Sequence, residues 1–298
     1  MLSIVIVSYN TRDLLDECLA SIARHCNDAE VIVVDNDSRD DSVEMVRQNY
    51  PSVKLIDARA NLGFAGANNR GIQEATGDFV LLLNSDTILE DDSLQRCVAW
   101  MEKNPKLGAI SPSLIGMDDN PQRAYHAFPS LKKRFTQAFV RNREIKLPEP
   151  DSSGWLAGTA LMIRREALEQ IGGGLDGDYW MYWEDADTSA HLLSLGWEVE
   201  EYTDAHIRHY GGASGGGPDA GRRSDLYAHY AWGEHRWFFK HRPLWESTSI
   251  WLLDFLDLFR RVLRGVRHAD RRSELAHAKV LSRVLTWRLT GRRPPVPG

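Results

Sequence analysis

Asn84-Ser85-Asp86 ends an apolar run, Phe79-Val80-Leu81-Leu82-Leu83, that begins after Gly77-Asp78. A run that short and apolar reads as a buried parallel strand, and open α/β sheets collect ligands beyond the carboxyl ends of such strands. Asp86 is therefore placed to hold a hard divalent cation against the diphosphate of a nucleotide. Ser8-Tyr9-Asn10 and Asp35-Asn36-Asp37 end two further apolar runs. Together they could hold a base and ribose: an aspartate accepts the imide N–H of uracil or thymine, and a second polar group engages the ribose hydroxyls. Helix capping explains Asn10 and Asp37 equally well.

The segment from Asn61 through Gly63, Phe64 and Gly66 to Asn68 is a glycine-bearing turn entering a helix, a cradle for sugar or phosphate groups. Relief of crowding at the glycines and packing of Asn68 beneath the turn is the alternative. No GxGxxG follows the first strand, which argues against a nicotinamide enzyme. Glu184, Asp185 and Asp187 follow Trp180, Tyr182 and Trp183. Aromatic faces bind the apolar side of sugar rings, and a carboxylate beside them can take a proton from an acceptor hydroxyl. Compensation of a helix dipole is the competing explanation. His209, ahead of the Gly211–Gly217 cluster, becomes a second metal ligand if it meets Asp86 in space, with His206 as competitor.

These residues need a scaffold, and the chain alternates in βαβ fashion. Strands are expected at Leu2–Val7, Glu30–Val34, Val53–Ile56 and up to Leu83. Helices are expected near Arg12–His25, Asp41–Asn49, Ala65–Ala75 and Asp92–Lys103. Leu14, Leu15, Cys18, Leu19 and Ile22 recur at helical spacing and cover one sheet face. Right-handed crossovers then give a doubly wound, mostly parallel sheet. Leu107–Ser111 and Trp155–Ile163 read as further strands, residues 112–150 as a loop-rich excursion, Trp197–Tyr202 as a strand and Ala186–Leu195 as a helix.

With 298 residues, 43% of them hydrophobic, the chain can bury a real core. Cys18, Cys26 and Cys97 lack metal-ligand spacing and suit a reducing cytoplasm, and secretion by a signal peptide is not expected. The net charge of −6 hides an asymmetry: from Arg260 onward 11 basic residues face only Asp270 and Glu274, leaving 25 basic and 40 acidic residues before them. Amphipathic helices are expected at Trp251–Val266 and Ser273–Leu289, too charged to span a membrane. They suit an anionic membrane surface, packing on the acidic body, or a homodimer contact, ahead of nucleic acid.

Taken in order, Val7-Ser8-Tyr9-Asn10, Val34-Asp35-Asn36, Asn61-Leu62-Gly63-Phe64, Asn84-Ser85-Asp86, Trp183-Glu184-Asp185 and His209 to Ser214 resemble the inverting family-2 glycosyltransferases of GT-A fold, with bacterial rhamnosyltransferases the nearest branch. The resemblance covers about residues 1–240 and implies a GT-A domain over 1–220 with a helical, basic extension over 221–298. It implies Asp35 at the pyrimidine, Ser8 and Asn10 near the nucleoside, and Asn84 at the ribose or sugar. Ser85 and Asp86 fall in the family's Asp-x-Asp motif, whose first acid is Asn here. Asp86 and His209 would hold Mg²⁺ or Mn²⁺, Asp185 would be the general base with Glu184 beside it, and Trp155 and Gly158, with Trp183, would line the acceptor cleft. The donor would be a dTDP- or UDP-sugar and the acceptor a saccharide or polyprenyl-linked saccharide. The enzyme would work in the cytoplasm or peripherally on the inner face of the cell membrane. A non-catalytic nucleotide-sugar scaffold and a sugar-phosphate nucleotidyltransferase are the alternatives. The latter typically needs a basic Gly-rich loop after the first strand, where Tyr9-Asn10-Thr11 stands instead.

Overall fold

The computed structural model describes residues 1–132, 134–135, 154–211, 220–267 and 271–295. Runs of Val, Ile and Leu form the central strands β1 (Leu2–Ser8), β2 (Glu30–Asp35) and β4 (Phe79–Asn84), beside the shorter β3 (Lys54–Asp57). Also present are β5 (Thr87–Ile88), β6 (Leu107–Gly116), β7 (Pro121–Gln122), β10 (Ala160–Arg164) and β11 (Glu198–His209), giving a nine-stranded sheet in the order β3-β2-β1-β4-β10-β6-β11-β5, with β7 on β6. β3, β2, β1 and β4 are mutually parallel, as are β6 and β11. β10 runs antiparallel to both β4 and β6, so the expected mostly parallel sheet contains one reversed strand at its centre.

Period-two alternation sorts each strand's side chains onto two covered faces. Ile4, Ile6, Leu81 and Leu83 pack with Leu15, Cys18 and Ile22 of α1 (Arg12–His25), Met45 of α2 (Ser42–Asn49), and Leu94 and Met101 of α4 (Ser93–Lys103). On the other face Val5, Ile32, Val34, Val80 and Leu82 meet Ala67 and Ile72 of α3 (Gly63–Glu74), Leu168 of α5 (Arg165–Gln170) and Leu192 of α6 (Glu184–Ser194). Helices on both faces make the sheet doubly wound. All three cysteines are free and buried, and burial pushes the Cys18 thiol up to about 12, so it acts as a small core residue.

Register brings the chemistry to one edge. Val7 is paired with Asn84, Ser8 with Asp35, and Asp35 with Asp57, so polar strand ends stand in one row. The apolar run Trp155–Ile163 is two strands, not one. β9 (Gly154–Leu156) pairs with β8 (Tyr125–Ala127) in a separate small sheet, and β10 starts only after a break at 157–159. At the break Ala157 N–H donates to Ala124 C=O, and Thr159 C=O accepts Asn84 N–H. Residues 112–116 continue β6 rather than opening the excursion. Residues 136–150 of that excursion and 212–217 of the glycine cluster lie outside the described residues.

Two compact units result: residues 1–127, 149–180 and 184–217, and residues 128–148, 181–183 and 218–298. In the second, α7 (Ala220–His241), which falls within the expected helical extension, carries Ala228, Ala231 and Trp232 against Val280 and Val284 of α9 (Arg271–Thr290). α8 (Leu244–Arg267) and α9 contain the two expected amphipathic segments. Asp254 of α8 is buried, receiving His235 Nε2 at 2.6 Å and Arg134 at 2.5 Å. Among the described residues no helix is long and apolar enough to cross a membrane.

Candidate active site

The turn after β4 buries Asp86 completely, and neither carboxylate oxygen has a hydrogen-bond partner among the described residues. Oδ1 lies 3.4 Å from Nε2 of His209, itself without a partner, at the end of β11. The imidazole's state follows from Gln122 of β7. Its Nε2 donates to the His209 backbone carbonyl at 3.0 Å, which can only accept, so its Oε1 is the atom 2.6 Å from His209 Nδ1. Nδ1 therefore carries a proton, and in the neutral ring Nε2 presents its lone pair toward Asp86. A carboxylate and an imidazole nitrogen facing each other in a buried space call for a cation between them, either a proton on Nε2 or a metal ion. One carboxylate and one neutral imidazole fit a divalent ion that takes its remaining ligands from water and diphosphate. Among the described residues no group of three or more His, Cys, Asp or Glu could hold a metal, so the ion would depend on substrate to complete its shell. His206, the competitor, lies 4.0 Å from Glu90 instead.

At the ends of β1 and β2, the hydroxyls of Ser8, Thr11 and Ser85 form a buried chain with steps of 3.0 Å, tying the turn of Asp86 to the first strand. Asn10 and Asp37 are not caps. Both adopt left-handed backbone, with φ of 54° and 71°, and the helix starts are served by Asp40, which accepts Arg12 N–H and Ser42 N–H. Asn10 instead accepts Arg39 N–H at 2.7 Å, lacing the two loops together, and Asp35 Oδ2 accepts Ser38 N–H at 3.0 Å within its own loop. Asp35 Oδ1 stays buried without a partner among the described residues. Burial raises the Asp35 pKa, with the charges of Asp57 and Asp40 adding to it. Asn61 holds the turn, accepting Gly63 N–H and the Asn36 side-chain amide. Gly63 is required there: its φ is 72°, and a Cβ would stand 2.1 Å from Trp180 O. Asn68 is buried and donates to Phe64 C=O, a packing role.

The third cluster opens α6. Asp185 accepts Gly158 N–H at 3.0 Å and Ala186 N–H at 2.8 Å. A Cβ on Gly158 would meet the Phe64 ring at 3.0 Å and Asp185 at 3.7 Å, so that glycine lets ring and carboxylate converge. Burial pushes the Asp185 carboxyl up to about 6, the two N–H donors opposing it. Glu184 is more deeply buried, its Oε2 without a partner, and burial and then the Asp185 charge raise its pKa well above 4.5. The environments thus divide two adjacent acids into one that holds its proton and one that ionises near neutrality. Asp187 is occupied by the Tyr179 hydroxyl at 3.2 Å. The clusters share an edge: Asn84 bonds Thr159, next to the Gly158 that bonds Asp185.

Residues 3–172 match the profile described as Glycosyl transferase family 2. The chain belongs to that family. It is 29% identical over 280 residues to an N-acetylglucosaminyl-diphospho-decaprenol L-rhamnosyltransferase of Mycobacterium tuberculosis, covering 85% of this chain and 89% of the relative. It is 30% identical over 210 residues to a poly-beta-1,6-N-acetyl-D-glucosamine synthase of Staphylococcus epidermidis, 66% of this chain but only 45% of that protein. Similar solved structures are the mannosyltransferase PcManGT of Pyrobaculum calidifontis in complex with GDP-Man and Mn²⁺ (TM-score 0.57, 18% identity, 98% of this chain and 88% of that one) and S. aureus TarS 1-349 (TM-score 0.53, 15% identity, 99% and 93%). The fold is GT-A, and the chain is a family-2 glycosyltransferase.

Within this family-2 framework, sequence reasoning missed Gln122, Thr11 and Asp40. Gln122 sits in a two-residue strand with no local pattern, and nothing linear ties it to His209, 87 positions on. Trp155 stacks on His126 with ring centroids 4.5 Å apart. Trp183, counted with the second unit, packs on Tyr230 and Trp237.

Proposed function

We propose that this chain is an inverting glycosyltransferase that moves a sugar, with rhamnose favoured, from a dTDP- or UDP-sugar to a hydroxyl of a saccharide or lipid-linked acceptor in cell-envelope polysaccharide synthesis. The observation that carries the reading is the Asp86–His209 pair, two buried acceptors 3.4 Å apart with a fixed tautomer. Asp86 and His209 would hold a divalent cation, Mn²⁺ or Mg²⁺, which would supply charge neutralisation for the departing diphosphate. Asp35 Oδ1 accepts the imide N–H of the pyrimidine, satisfying the orphaned oxygen. Asp185 deprotonates the acceptor hydroxyl, which attacks the anomeric carbon as the nucleoside diphosphate leaves, in one displacement that inverts the configuration. Glu184, kept neutral, adds no second charge against that base. The acceptor class is supported by the 29%-identical mycobacterial relative, whose name specifies a diphospho-decaprenol substrate, and the metal by the Mn²⁺ of PcManGT.

Product analysis tests the reading. The protein is incubated with dTDP- and UDP-sugars, Mn²⁺ and a saccharide acceptor, and the phosphorus species and product anomer are resolved by NMR. Free nucleoside diphosphate with an inverted anomer is expected. In a parallel incubation with dTTP or UTP and a sugar 1-phosphate, release of pyrophosphate would mean nucleotidyl transfer; in the first, a retained configuration would remove the single displacement, and donor binding without turnover would leave a scaffold.

A further inference from the structure

α8 presents two unlike faces. Ile250 and Asp254 turn inward and are buried, Asp254 fixed by His235 and Arg134. Leu252, Phe255, Leu256, Phe259, Val262 and Leu263 recur at three- and four-residue spacing on the opposite side and are 41–59% exposed, and Leu244 and Trp245 extend the strip toward the helix start. Large apolar side chains gathered on one exposed helix face mark a contact surface rather than scattered exposure. The last ten residues of the helix carry Arg260, Arg261, Arg264 and Arg267 and no acid, and they open the segment in which 11 basic residues face two acidic ones.

We infer that this face of α8 is a docking surface for an anionic lipid bilayer, the helix lying in the interface with Trp245, Phe255 and Phe259 among the acyl chains and the arginines at the headgroups. Three observations select that occupant. The helix is apolar along one strip only, and no described helix can span a bilayer, which is the composition of an interfacial helix. The charge of the strip's basic end is opposite to that of an anionic leaflet, while residues 1–259, with 25 basic and 40 acidic side chains, are repelled by it, so the sign pattern orients binding through this end. A second copy of the chain would bring the same arginine surplus to a symmetric contact. The inference deepens the proposed reading, on which it rests for its purpose: a lipid-linked acceptor is reached at a membrane surface.

Vesicle binding of the full chain tests it. The protein is sedimented with phosphatidylcholine vesicles and with vesicles containing phosphatidylglycerol, and partitioning is read at low and high salt. Binding at least about tenfold stronger to the anionic vesicles, weakened by salt, is expected. Phe255→Glu with Phe259→Glu should lower it by about tenfold or more, with unchanged circular dichroism. In the unmutated protein, brominated acyl chains should quench tryptophan fluorescence, and Trp245→Phe should remove most of that quenching. Equal partitioning onto both vesicle types, or equal binding of protein and double variant, overturns the inference. So does a dimer in analytical ultracentrifugation that the double variant dissociates without any vesicle binding. Thermal shift with dTDP- and UDP-sugars in the same preparations separates the two claims. A donor shift without vesicle binding removes only the docking surface, and vesicle binding without a donor shift removes only the transferase reading.

Discussion

Two aspartate–histidine pairs in this molecule teach opposite lessons. His235 and Asp254 are buried at 2.6 Å, the histidine donating and Arg134 completing the carboxylate at 2.5 Å. Both Asp254 oxygens and His235 Nε2 are met from within the chain, as expected of a pair that fixes helix packing. His209 and Asp86 are also buried but stand 3.4 Å apart, with Nδ1–H spent on Gln122 and the facing lone pairs unanswered. Residue type is the same in both, and all four residues are buried. Unmet valence distinguishes a site built to receive a ligand from one built to hold a fold.

The contrast can be broken by mutation. The largest effect is expected at Asp185→Asn, which keeps an acceptor for Gly158 N–H but removes the base: steady-state transfer should fall about 10²–10⁴-fold with donor binding intact. Asp254→Ala strands His235 and Arg134 and should cost about 3–5 kcal/mol in denaturant unfolding. Asp86→Asn, which removes an orphaned charge, should leave stability unchanged or higher, and an equal loss from both aspartate variants would erase the distinction. Gln122→Leu frees the His209 ring, and Mn²⁺ affinity followed by electron paramagnetic resonance should weaken about 10–100-fold.

Two smaller effects come from the acidic pair opening α6. On the proposed reading Asp185 acts ionised, and with its carboxyl near 6, kcat/KM should drop about tenfold per pH unit below 6 and level off above it. Glu184 binds its proton more tightly folded than unfolded, so stability from this group declines as pH rises from about 4.5 toward its elevated folded value. Glu184→Gln should therefore melt a few degrees above the unmutated protein at pH 8, with the difference vanishing near pH 4.

The sheet was legible because its central strands are uniform apolar runs ended by polar triplets. Periodicity and those endings placed Ser8, Asp35 and Asn84 at one edge before any coordinates. Continuity of apolar residues misled at Trp155–Ile163, where the chain leaves one sheet for another at Gly158 with no change in composition. Within the expected helical extension the bounds of α7 are not legible, because residues 220–241 mix arginine, histidine and aromatics without a clean stripe. Asn10 and Asp37 belong to residue types that serve both as caps and in left-handed turns, and only the backbone separates the two uses. The choice of His209 over His206 needed the strand's parity: three positions apart on β11, they point to opposite faces.

Metal titration tests the central claim most directly. Mn²⁺ is titrated calorimetrically into the protein with saturating dTDP or UDP, in parallel with Asp86→Asn and Asp254→Asn. One equivalent of Mn²⁺ bound by the unmutated protein and by Asp254→Asn, but lost in Asp86→Asn while its fold is retained, is the predicted result. Undiminished Mn²⁺ binding in folded Asp86→Asn would contradict the account and take the cation away from the Asp86–His209 pair.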